Sequence, residues 1–129
     1  MIHIILFRPE KPMNTGNIMR TCVAINAKLH IIGPITFSVN DKDLKRVGMD
    51  YISSLKMEYY ENYEEFLKKH KNKNIFYITR YASKIYSKAD FSDPVKDIYV
   101  MFGRESTGIP HDLLRANEDK LLRIPMVAD

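Results

Sequence analysis

Three short stretches gather residue types that can bind and orient a ligand. The first is Asn14-Thr15-Gly16-Asn17 with Arg20 one turn further on. Two amides, a hydroxyl, a flexible glycine and a guanidinium at a helix start suit an anion or a ribose. An ordinary capped helix with Arg20 in water would use the same residues. The second is Gly103-Arg104-Glu105-Ser106-Thr107-Gly108, after an apolar run and before Ile109-Pro110. A phosphate-binding loop of the Walker kind needs Lys and Ser or Thr after its second glycine, where this chain has Ile109 and Pro110, so a Walker-type nucleotidase is excluded. What remains is a glycine that lets backbone approach a ligand and a carboxylate, Glu105, that faces a cation or braces the loop. A plain structural turn fits the same residues. The third is Leu122-Arg123-Ile124-Pro125-Met126, an apolar strand end able to pack a flat heterocycle, extended before its proline.

Other reactive residue types carry less. His3, His30, His70 and His111 are scattered in sequence, without the mutual spacing or acidic companions of a metal site or a triad, so they read as structural or solvated and no metal is expected. Cys22 is the single cysteine. It cannot form an intramolecular disulfide and suits a reducing cytoplasm. Twenty Lys and Arg against 16 Asp and Glu give a formal charge of +4, a modest attraction for a polyanion that would serve solubility equally well. With 129 residues, 45% of them hydrophobic, the chain suits one folded domain. No apolar run approaches a membrane span, and residues 1–7 lack the basic start and the length of a signal peptide.

The elements that would hold these stretches alternate between β-rich runs and helical periods. Ile2 to Phe7 reads as a strand covered on both faces, ended by Pro9 and Pro12. Asn14 or Thr15 would cap a helix to about Ala27, with Ile18, Cys22 and Ile25 facing inward. Leu29 to Ile32 reads as a second strand, and Asp41 to Val47 as a short helix stopped by Gly48. Asn62 would cap a helix carrying Phe66 and Leu67 and ending in Lys68-Lys69-His70. Ile75 to Thr79, Ile98 to Phe102 and Leu121 to Ile124 complete the strands, with a helix from His111 to Ala116. Such an exchange implies an α/β protein with a mainly parallel sheet, whose ligands bind at the loops after the carboxyl ends of the strands. Tyr59, Tyr60 and Tyr63 read equally as core or surface, and Lys68 to Lys73 as a solvated helix end.

In this order, Asn14-Thr15-Gly16-Asn17-Ile18-x-Arg20, Phe102-Gly103-x-Glu105-x-x-Gly108 and Arg123-Ile124-Pro125-Met126 resemble the SPOUT methyltransferases, specifically the TrmL branch. The likeness runs from Met1 to Asp129 and includes Leu29-His30-Ile31-Ile32 and Gly48-x-Asp50-Tyr51. It implies an α/β fold with a carboxyl-terminal trefoil knot, S-adenosylmethionine as cofactor, methylation of the ribose 2′-hydroxyl of the wobble nucleotide in tRNA, and a cytoplasmic homodimer that grips the anticodon stem-loop.

Carried over by motif, Ile78, Gly103 and Ile124 would contact the cofactor, with Met126 adjacent. Asn14 and Arg20 would face the acceptor ribose, and Glu105 would organise the second motif. The family's third motif, a Ser/Asn-rich loop and closing helix, would begin after Asp129, so residues 1–129 are expected to form a single domain incomplete at its carboxyl end, without the knot-completing segment. Arg20 suits an electrostatic partner better than a base, because a guanidinium with a pKa above ~12 holds its proton. A non-catalytic RNA- or nucleotide-binding module of the same fold is the competing reading.

Overall fold

A computed structural model describes residues 1–37, 54–71, 74–79 and 97–122. The expected helix at Asp41–Val47, the Gly48 to Tyr51 segment, and the stretch with Ile124 and Met126 lie outside the described residues.

The strands are β1 (Ile2–Phe7), β2 (Lys28–Ile32), β3 (Lys56–Tyr60), β4 (Ile75–Ile78), β5 (Ile98–Phe102) and β6 (Leu121–Leu122). The helices are α1 (Pro12–Ala24), α2 (Tyr63–Lys69) and α3 (His111–Ala116). The sheet order is β3-β2-β1-β5-β4-β6, and every pairing is parallel. Parallel strands must be covered on both faces. Leu6, Leu29 and Ile31 accordingly pack against Met19 and Cys22 of α1, while Ile5, Phe7, Tyr99 and Met101 pack on the other face with Phe66 of α2 and Leu114 of α3. Full burial of an aliphatic or aromatic side chain contributes roughly 1.5–3 kcal/mol, so these two layers dominate the stability.

Helix α1 departs from the sequence reading at both ends. It starts at Pro12, with Lys11 as the cap residue and no side-chain cap. Proline fits a first helical position because its φ is preset and an amide there would lack an intrahelical partner. Asn14 and Thr15 therefore sit in the first turn instead of capping it, and the exposed Asn14 amide is not spent on the helix. At the other end, Asn26 adopts a left-handed φ of 56°. The amide of Ala27 bonds the Cys22 carbonyl at 2.8 Å and that of Asn26 bonds Val23 at 3.2 Å, a Schellman closure. The helix stops at Ala24, and Ile25, expected inward, is 51% exposed. Met19 and Cys22, each 1% exposed, form the inward face with Thr15.

The cap on α2 is as expected: Asn62 Oδ1 accepts from the Glu65 amide at 2.9 Å, and Glu65 reaches back to the Glu61 amide at 3.0 Å. Strand β3 was not anticipated. Its alternation of Lys56, Met57, Glu58 and Tyr59 is that of an edge strand, which needs apolar residues on fewer positions than a central one.

Candidate active site

Strand order reverses between β1 and β5: from β1 the chain moves outward through β2 and β3, and β5 returns to β1's other edge. Loops after the two strands on either side of such a reversal diverge and leave a crevice at the carboxyl rim. The first and second chemistry-bearing stretches meet there.

They are joined by a reciprocal exchange of carboxylates. Glu105 accepts from the backbone amides of Glu10 at 2.8 Å and Lys11 at 3.4 Å, thereby serving the open amino end of α1 that no local side chain caps. Glu10 in turn accepts from the Ser106 amide at 2.9 Å, the Ser106 hydroxyl at 2.8 Å and Arg104 Nη2 at 3.1 Å. The Ser106 amide, then its hydroxyl, then Arg104 hold the Glu10 carboxyl below its usual range. Glu105 thus braces the loop pair, the second of its two expected roles.

Gly103 is required by the loop itself. A Cβ there would collide with the backbone of Gly108 and Ile109, because Arg104 and Gly108 exchange two backbone bonds at 2.8 and 3.1 Å. Gly108 closes this turn at φ 73°, which favours glycine. The Cβ side of Gly103 is thus filled by the chain's own backbone, while the residue also lines the cleft on the α1 face.

On the α1 face of the rim, a cleft of about 370 Å³ is lined by Asn14, Thr15, Asn17, Gly103 and Glu105, with Leu6, Pro9, Ile18 and Phe102 supplying apolar wall. Thr15 is 1% exposed and its hydroxyl has no hydrogen-bond partner. Arg20 lines an adjoining cleft of about 350 Å³ with Asn17, Thr21 and Ala24, so Asn17 borders both. Sequence reasoning gave Thr15 only a capping role and Asn17 no separate role, although both lie within the quoted motif. Ile78 ends β4 with Phe102 and Leu122 as its lateral neighbours, and the Thr79 amide continues the pairing to Leu122 at 2.8 Å. Asn14, Gly103 and Glu105 are therefore brought to one cleft, Arg20 to the next, and Ile78 to the same rim. Ile124 and Met126 lie outside the described residues.

The histidines require a correction, because three of the four are not scattered. His3 Nδ1 lies 2.8 Å from His30 Nε2, His30 Nδ1 lies 2.8 Å from the Tyr60 hydroxyl, and that hydroxyl lies 2.8 Å from His70 Nε2. Parallel pairing of β1 with β2 and β2 with β3 puts distant positions side by side, which linear spacing conceals. Burial pushes the His30 pKa down to about 3 and lowers that of His3. Acidic companions are also present. His3 Nε2 faces Asp97 at 3.6 Å, and ligand atoms of His30, Glu58 and His70 lie within 4.8 Å of one another. Those donors are already engaged: Tyr60 bonds both imidazoles, and Glu58 pairs with Lys69 and, at 3.3 Å, with Lys28. Lys69, expected to be merely solvated, thus joins this cluster, and Lys69 first, against the opposing effect of burial, holds the Glu58 carboxyl down at about 2.

The tyrosines divide. Tyr60 is core at 3% exposure, Tyr63 is partly buried against the core, and Tyr59 is 43% exposed. Burial also pushes the Cys22 thiol up to about 11, which agrees with a packing role.

A parallel sheet with a crevice at its order reversal, bridged by carboxylates from the loops after β1 and β5, defines a ligand-binding α/β protein. The chain belongs to the SpoU rRNA Methylase family, whose model matches residues 1–129. Among its relatives, the tRNA (cytidine(34)-2′-O)-methyltransferase of Escherichia coli K12 is 37% identical over 130 residues, covering 100% of this chain and 81% of that one. A Geobacillus stearothermophilus protein assigned to the same activity is 49% identical over 125 residues, covering 97% of this chain and 80% of that one. A solved structure from Bacillus anthracis, of a protein assigned as an RNA methyltransferase, superposes with a TM-score of 0.91 at 46% identity, over 100% of this chain and 81% of that one. A structure described as giving insight into 2′-OH methylation of C/U34 on tRNA superposes at 0.90 with 32% identity, over 100% and 82%. The fold expected from the motifs, a mainly parallel sheet flanked by helices, is the fold observed. Among the described residues no helix is long and apolar enough to cross a membrane.

Proposed function

We propose that this chain is an S-adenosylmethionine-dependent enzyme that methylates the ribose 2′-hydroxyl of the wobble nucleotide in tRNA. The observation that carries the reading is the crevice between β1 and β5, where Asn14 and Gly103 line one cleft and Glu105 ties their loops together. Relatives named for this activity match nearly the whole chain.

The cleft fits such a cofactor chemically. Leu6, Ile18 and Phe102 offer apolar surface to a flat heterocycle, and the buried Thr15 hydroxyl lacks an acceptor or donor. The sulfonium of the cofactor supplies an already activated methyl group. Ile78 and Gly103, with Ile124 and Met126, would hold it through backbone and apolar surface. Asn14 would orient the acceptor ribose, and Arg20 would stabilise the charge that develops on its oxygen. Glu105 would act as a positioning residue through the Glu10 and Lys11 amides. Correct alignment of acceptor and donor can contribute ~7–11 kcal/mol to lowering the barrier, so positioning suffices as the main device. The anticodon stem-loop as partner, a homodimer and a cytoplasmic location belong to the same proposal. Exposed Met13 and Ile25 at the two ends of α1 are compatible with a partner copy there.

The protein expressed from its complete reading frame tests this by calorimetry with S-adenosylmethionine and by mapping methyl groups on purified tRNA. Expected are binding and a single ribose methylation at position 34. Arg20→Lys should retain part of the activity, whereas abolition would restore the base role for Arg20. RNA binding without cofactor binding would favour the non-catalytic module.

A further inference from the structure

The interlock at the rim has a second side. Leu6 and Phe102 line the cleft with Asn14, whereas Phe7 and Ile109, which pack on the opposite face of the sheet, line another of about 310 Å³ together with Arg8, Arg104, Thr107 and His111. Two guanidiniums from two different loops border this space. The Nε atoms of both Arg8 and Arg104 are buried and lack a hydrogen-bond partner. A buried donor with no acceptor is costly, and more so when charged. Arg104 gives Nη2 to Glu10 at 3.1 Å, which fixes its plane and leaves Nε unmatched. Arg8 makes no ion pair among the described residues and lies over the Phe7 ring at 5.6 Å. Its backbone has a φ of 46°, an unfavourable conformation for a side-chain-bearing residue, held by the bond from the Arg8 amide to Ile32 at 2.8 Å. Strain of this kind concentrates at ligand clamps.

We infer that Arg8 and Arg104 form an oxyanion site on the sheet face opposite the Asn14 cleft, and that its occupant is a backbone phosphate of the RNA substrate. This rests on the RNA-modifying reading above. Guanidinium forks bind phosphate oxygens in pairs, and an unmatched Nε on each arginine is the donor such an oxygen would satisfy. A carboxylate would make the same bonds. The phosphate is favoured because the cleft lies away from the Asn14 and Gly103 surface and opens at Thr107 and His111, both exposed, where a long polyanion can cross the rim. Glu64 and Asp112 line the next cleft beyond Arg8, so the attraction is local to the two guanidiniums.

The experiment measures tRNA binding by fluorescence anisotropy across a potassium chloride series for the wild type, Arg8→Met and Arg8→Lys, with S-adenosylmethionine affinity and the thermal shift given by inorganic pyrophosphate read in parallel. Arg8→Met should weaken RNA binding and lower the slope of log K against log salt by about 0.7–0.9, the value for one lost phosphate contact. Arg8→Lys should restore the slope, cofactor affinity should be unchanged, and pyrophosphate should stabilise the wild type more than Arg8→Met. An unaltered slope overturns the inference, as does a loss of cofactor affinity in Arg8→Met, which would assign the site to a carboxylate. Wild-type protein that binds tRNA with the expected slope change yet never methylates it would remove the proposed activity and leave this site standing. If the wild type binds no RNA, the phosphate occupant is refuted, and an equal pyrophosphate response in both proteins removes the anion site as well.

Discussion

Acidification from pH 7 to pH 5 should destabilise the protein through His30. This imidazole is completely buried, and its pKa falls from 6.5 to about 3, chiefly because burial disfavours the charged ring and then because His3 and His70 adjoin it. In the unfolded chain the same ring takes a proton near pH 6.5. Between those values the unfolded state binds more protons than the native state, so stability rises with pH in that window and falls as pH drops from 6.5 toward 3. The full displacement corresponds to on the order of 5 kcal/mol, of which about 2 kcal/mol is lost between pH 7 and pH 5. The depressed pKa of His3 acts in the same direction. Glu58, held at about 2 against a usual 4.5, adds its own acid loss only below pH 4.5, so the interval above pH 5 isolates the imidazoles. Urea unfolding followed by circular dichroism at pH 7, 6 and 5 measures the slope. His30→Gln, which keeps hydrogen-bonding atoms for His3 and Tyr60 but does not titrate, should lower stability at pH 7 by about 1–3 kcal/mol and flatten the dependence. A loss under about 0.5 kcal/mol for the wild type, or an equal slope in His30→Gln, would refute the reasoning.

Three further outcomes follow from the rim and the core. Glu105→Ala removes the acceptor for the Glu10 and Lys11 amides; methyl transfer should fall by roughly ten- to a hundredfold while the melting temperature stays nearly constant, because the bonds lie at the surface. Gly103→Ala forces a Cβ into the Gly108 and Ile109 backbone, and denaturant titration should show a loss of about 1–3 kcal/mol that no rotamer change relieves. Cys22, 1% exposed and with its thiol pKa pushed up to about 11, should react with a thiol reagent in native protein only as fast as the chain unfolds; prompt labelling at pH 7.5 would contradict the packing role.

Local signals made much of this protein legible. Doubly apolar runs identified β1, β2, β4 and β5, and Asn62 with Glu65 marked the start of α2, because burial on both faces and capping each act within a few residues. The three motifs in order, from Asn14 to Met126, carried the resemblance to the family, and the family model matches residues 1–129. What the sequence could not supply was which of these loops touch. Only the parallel pairing of β1 with β5 brings Glu105 to the amides of Glu10 and Lys11, 95 and 94 positions away, and so turns an uncapped helix start into a braced one. Pairing of β1 with β2 and of β2 with β3, together with the packing of the carboxyl end of α2 against Tyr60, gathers His3, His30 and His70, whose separations of tens of residues carry no periodic trace. Hydrogen bonds between side chains depend on proximity in space, and in a parallel sheet each neighbour is reached through a crossover, so proximity is decided by topology after the local elements have formed.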